Sequence, residues 1–75
     1  MNYQEQKESI ILTAINVLEK NGYIVRLRNK QNGHLQVISK RGVCYNFYPT
    51  TGTIAGYDWD KVNGIDALLR ILREG

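Results

Sequence analysis

The chain predicts an α+β fold of two layers in the order α-β-β-β-α, with room for a short fourth strand. Three observations carry this prediction. An apolar stripe at helical spacing lies near each end of the chain, and three segments of period-two alternation lie between them. Glycine-bearing turn sequences separate every pair of these segments. Both helices then cover one face of an antiparallel sheet, and 1–75 forms a single domain.

The first helix is expected from about Tyr3 to Lys20. Asn2 followed by Glu5 has the spacing of a capping box, in which the two side chains satisfy orphan amides at the helix start. Ile11, Ala14, Ile15 and Leu18 form its apolar stripe, widened by Ile10 and Val17. Asn21-Gly22 follows, and a glycine at that point takes the left-handed conformation that ends a helix. In YIVRLR, Tyr23, Val25 and Leu27 point one way and Ile24, Arg26 and Arg28 the other. After the turn NKQNG, Leu35 and Val37 continue the apolar face, with His34, Gln36 and Ile38 opposite. Lys40-Arg41-Gly42 makes the next turn, after which Val43, Tyr45 and Phe47 are expected to face the core and Cys44, Asn46 and Tyr48 to face outward. Pro49 ends that strand because it has no N–H for a ladder. Thr50-Thr51-Gly52 is turn chemistry, and Thr53-Ile54-Ala55 can return as the short fourth strand. Asn63 is the expected N-cap of the last helix, Asp66 complements its dipole, and Ile65, Leu68, Leu69 and Leu72 form its stripe.

Composition excludes several classes of function. One cysteine allows neither an intramolecular disulfide nor a cysteine-based zinc site, so no metal and no cofactor is expected. Apolar runs fall far short of the ~20 residues that span a bilayer. The polar N-terminal stretch lacks the basic-then-apolar order of a signal peptide, so the expected location is cytoplasmic with no membrane partner. Net charge is +3, but its distribution says more. The acids Glu5, Glu8 and Glu19 precede Lys20, and Asp58, Asp60, Asp66 and Glu74 follow Tyr57, with none between. That acid-free middle carries Lys20, Arg26, Arg28, Lys30, Lys40 and Arg41, a segregation that steers anionic partners.

The candidate binding surface follows from strand parity. With the helices on the apolar face, the other face is open and displays cations, amides and apolar anchors. The candidate binding residues are Arg26, Arg28, Lys30, His34, Lys40, Arg41, Asn46 and Tyr48. A second candidate interface is Tyr57, Asp58, Trp59 and Asp60, an acidic-aromatic run suited to anchoring a protein partner or, equally, to plugging the sheet edge. The TTGT turn lacks the lysine, the further glycines and the following helix of a P-loop, so its threonines are expected to fix the turn through side-chain-to-backbone bonds. Cys44, among apolar and aromatic neighbours, is expected to be a partly buried, inert thiol.

Three resemblances add to this reading. The helix, three strands and helix resemble the double-stranded-RNA-binding fold, and Asn32-Gly33-His34 resembles the loop with which those domains reach the minor groove. Where that family places a phosphate-gripping lysine cluster, this chain reads Tyr57-Asp58-Trp59-Asp60-Lys61, whose two acids oppose duplex RNA. The segment Gly22 to Val37 is similar to mRNA-cleaving toxins of the HicA type, which implies His34 as a general acid–base and Arg26 or Arg28 as a phosphate contact; the serine before the family's histidine is Gly33 here. Finally, Gly33-His34, Gly42, Phe47-Tyr48-Pro49-Thr50-Thr51-Gly52-Thr53 and Gly64-Ile65 with Leu69 look like small phage and prophage proteins. That likeness implies a bacterial host cell and a mobile-element setting, in which compact proteins often inhibit host machinery, CRISPR systems included. The resulting expectation is a non-enzymatic accessory or inhibitor protein whose basic sheet face engages a host protein, a ribonucleoprotein complex or nucleic acid. The alternatives are an RNase toxin using His34 and a direct nucleic-acid-binding module.

Overall fold

The computed structural model describes residues 3–74, with side chains from residue 6 onward. Its elements are α1 (Tyr3–Lys20), β1 (Ile24–Asn29), β2 (His34–Ile38), β3 (Cys44–Tyr48), β4 (Thr53–Ile54) and α2 (Gly64–Glu74). The α+β order is therefore as expected, with the short fourth strand present. The Asn2–Glu5 capping box lies outside the described side chains.

Helix α1 ends where Asn21-Gly22 predicts, by a complete Schellman motif. The Tyr23 N–H donates to the Leu18 carbonyl and the Gly22 N–H to the Glu19 carbonyl. Gly22 has φ of +87°, which a side chain would strain. The bend drops Tyr23 against Leu18, and both are buried.

The four strands form one antiparallel sheet in the order β1-β2-β3-β4. Val25 pairs with Val37, and Val37 in turn with Tyr45; Leu35 pairs with Phe47, and Phe47 with Ile54. These pairs lie on one face of the sheet. The core combines Leu35, Val37, Phe47 and Ile54 from the sheet with Ile11, Ala14 and Leu18 from α1 and Leu68, Leu69 and Leu72 from α2. Both helices thus lie on the same side. Phe47 is 1% exposed at the centre, where truncation to alanine costs about 3–5 kcal/mol.

Three apolar residues depart from the expected inward set, the first being Ile10, which is 44% exposed at the margin of the α1 stripe. Leu27 is 45% exposed on the edge strand, where it lines a groove of about 290 Å3 with Ile11, Leu12 and Ile15 of α1. Val43 is 44% exposed and precedes β3, in the hairpin turn. Ser39 is the buried polar residue that pattern reading overlooked. Its Oγ accepts from the Arg41 and Val43 N–H groups, which holds the β2–β3 hairpin shut.

The start of α2 also differs from expectation. The Asn63 side chain does not act as its cap: Nδ2 donates to the Trp59 carbonyl at 2.8 Å. The Gly64 N–H instead donates to the Gly52 carbonyl, docking the β3–β4 turn onto the helix start. A Cβ on Gly52 would lie 3.0 Å from the Gly64 nitrogen, so this approach requires glycine.

No helix among the described residues is long and apolar enough to cross a membrane.

Candidate functional site

The face of the sheet away from the helices is open. Successive side chains on a strand alternate between faces, so the residues between the core positions emerge there. The pairing Ile24↔Ile38↔Cys44 forms one cross-strand row, and Arg26↔Gln36↔Asn46 forms the next. His34 and Tyr48 follow in a third row, one step beyond the Leu35↔Phe47 pair, with Thr53 opposite Tyr48.

The third row holds a defined side-chain cluster. The His34 and Tyr48 rings stack with centroids 4.9 Å apart and planes 16° from parallel. His34 Nε2 lies 2.8 Å from Asn46 Oδ1, its diagonal neighbour on β3. With that oxygen as acceptor, Nε2 is the donor, which leaves Nδ1 the lone-pair nitrogen of a neutral ring. Three of the sequence-predicted site residues, His34, Asn46 and Tyr48, are therefore one contacting unit.

Local geometry fixes the entry to this cluster. Gly33 adopts φ of +68°, and a Cβ there would meet the Ile11 side chain at 3.3 Å. The glycine thus lets the β1–β2 turn pack closely on α1 while His34 emerges on the opposite face. Asn29 Oδ1 accepts from the Asn32 N–H and steadies the same turn. The ladder register slips between Leu27 and Asn29, so Asn29 rather than Arg28 pairs with His34. Arg28 is the extra residue of a β-bulge, exposed beside that pair.

The other predicted cations separate. Arg26 stands on the open face in the row beside the cluster. Lys30 turns toward the helix layer, with Nζ 3.8 Å from Glu8 Oε1 on α1. Lys40 places Nζ 5.6 Å from the centroid of the Tyr23 ring, over the end of α1. Arg41 is at the tip of the β2–β3 hairpin. The open face is accordingly less basic than a count of lysines and arginines suggests, and more aromatic and apolar. Ile24 is 56% exposed on it. Cys44, expected to be partly buried, is exposed there, because it pairs with Ile38 on the uncovered side.

The second candidate interface is a built corner. Trp59 Nε1 donates to the Thr51 carbonyl at 2.8 Å, and the Asp60 N–H donates to Asp58 Oδ1. Trp59 remains 51% and Tyr57 41% exposed. Trp59 therefore clamps the turn that leads into the edge strand β4. That turn is held by its own hydroxyls. Thr51 Oγ1 lies 2.8 Å from Thr53 Oγ1 and donates to the Tyr48 carbonyl. The Gly52 N–H also reaches the Tyr48 carbonyl, at 2.7 Å. Among the described residues, no group of three or more His, Cys, Asp or Glu side chains is placed to hold a metal ion.

Comparison with protein-family models, with curated proteins and with solved structures found no match for this chain.

Proposed function

We propose that this protein binds nucleic acid on the open face of its sheet. The observation that carries the reading is the His34–Tyr48 stack, tied to Asn46 and set beside Arg26 on one uncovered surface. Ring faces suit bases, amides suit base edges, and a guanidinium suits phosphate. The bulge adds Arg28 next to the histidine. The mobile-element setting, and with it inhibition of a host machine, rests on the likeness of the Gly33-to-Leu72 segment alone. An inhibitor that occludes a nucleic-acid-handling partner would use the same face.

A gel mobility-shift titration with mixed-sequence RNA and DNA tests the reading. The native chain should retard nucleic acid, and Arg26→Glu with Arg28→Glu should abolish the shift. Equal retardation by the charge-reversed variant would place the contact elsewhere on the molecule.

One observation favours a second reading, RNA cleavage by His34. The Asn46 carboxamide engages Nε2, so that in the neutral ring Nδ1 is the nitrogen free to take a proton from a 2′-hydroxyl. Incubation of RNA with the native chain and with His34→Ala decides this. Cleavage products that vanish in the variant support a nuclease, and intact RNA with the native chain removes it.

A further inference from the structure

We infer that the open face takes single-stranded nucleic acid with unpaired bases laid flat across the rows, and does not take a duplex. The inference rests on the nucleic-acid reading above and names its substrate class. It follows from which groups the fold leaves on that face and which it removes.

A duplex presents a surface of phosphates, so a protein that grips one needs several cations spaced along the backbone. Here the fold takes two of the sequence's central cations off the face. Lys30 is paired with Glu8 on the helix side, and Lys40 lies over the Tyr23 ring. Arg26 stays in the middle of the face, and Arg28 stays at its edge strand. Arg41 lies beyond the rows, at the tip of the β2–β3 hairpin, and the two cations left on the face itself are too few to hold a duplex.

The groups that remain match what only an unpaired strand exposes, namely ring faces. At one end His34 and Tyr48 present stacked rings. At the other end Ile24, Ile38 and Cys44 form an apolar row, in which Ile24 is 56% exposed. These two rows are separated by the row holding Arg26, Gln36 and Asn46. Neighbouring rows stand about 7 Å apart, two residues along a strand. One base then lies against an outer face of the ring pair and another, about 14 Å away across two row steps, on the isoleucines. The backbone between them passes Arg26, and the Gln36 amide faces a base edge. Stacking of this kind tolerates any base, so the strand's single-stranded character matters more than its sequence.

The test compares one oligonucleotide as a single strand and as a hairpin duplex, by fluorescence anisotropy at several salt concentrations. Single-strand affinity should exceed duplex affinity at least tenfold. The log–log salt dependence should be no steeper than about −2, because few phosphates are neutralised. Saturating oligonucleotide should slow alkylation of Cys44, which stands in the apolar row. Ile24→Ser, a change at an exposed position, should weaken single-strand binding several-fold while leaving the circular-dichroism spectrum unchanged. Duplex affinity equal to single-strand affinity, a markedly steeper salt dependence, or a Cys44 that stays fully reactive at saturation would each overturn the inference and leave nucleic-acid binding standing. Failure of both forms to bind would remove the nucleic-acid reading itself and leave the face to a protein partner.

Discussion

Two glycine turns, one at each side of β2 and β3, put similar residues to opposite use. The turn from Tyr48 to Thr53 is closed on itself. Its Thr51 and Thr53 hydroxyls bond each other, the Thr51 carbonyl takes the Trp59 indole N–H, and the Gly52 carbonyl takes the Gly64 N–H. The turn from Asn29 to His34 satisfies itself with one Asx contact and then delivers a side chain outward. His34 leaves that turn with one nitrogen engaged by Asn46 and a ring stacked on Tyr48. The difference separates architecture from function in this molecule. Polar groups that saturate one another hold the fold, whereas a group with a spare lone pair and a ring face is available to a ligand. The threonine-rich turn is the more conspicuous in sequence, yet it is the structural one.

Substitutions in the two turns should therefore separate stability from binding. The largest effect is expected for Gly52→Ala, which adds a Cβ 3.0 Å from the Gly64 nitrogen at φ of +79°. Unfolding in urea should show a loss of about 2–4 kcal/mol, from left-handed strain and displacement of the α2 start. His34→Ala should do the reverse. Its stability should fall by less than about 1 kcal/mol, while single-strand affinity drops about tenfold with the loss of the stack. Unchanged affinity in that variant would dissolve the contrast between the turns. Thr51→Val removes the hydroxyl that joins Tyr48 and Thr53, and should cost about 1 kcal/mol with affinity intact. The smallest effect belongs to Lys30→Ala. Its pair with Glu8 is solvent-exposed and lies off the binding face, so stability should move by less than about 0.5 kcal/mol and affinity should hold. A large loss of affinity there would return Lys30 to the interface.

Much of this was legible from the sequence because it depends on local rules. Gly22 had to end α1, and period-two alternation placed His34, Asn46 and Tyr48 on one face. What escaped depends on longer reach. Lys30 and Lys40 carry flexible stems whose heads settle on a carboxylate or a ring that strand parity does not register. The Arg28 bulge shifts the register by one residue with no Gly or Pro to announce it. Asn63 has the composition of a cap, but the Trp59 carbonyl competes for its amide, and that competitor is positioned only once Trp59 has reached Thr51. Leu27 and Val43 have core parity, but the first lies on the edge strand and the second in a hairpin turn, where both stay exposed.

The bulge in β1 has a consequence for how the molecule behaves in a crowd of its own kind. Among the described residues, β1 is one edge of the sheet, and IVRLRN is its longest strand. A straight strand of that length, with a free side, is a template on which other chains can stack into fibrils. The extra Arg28 breaks the repeat partway along, and together with Arg26 it adds like charge that a stacked copy would have to face. The same irregularity that sets an arginine beside His34 therefore also interrupts the exposed edge as a regular pairing template.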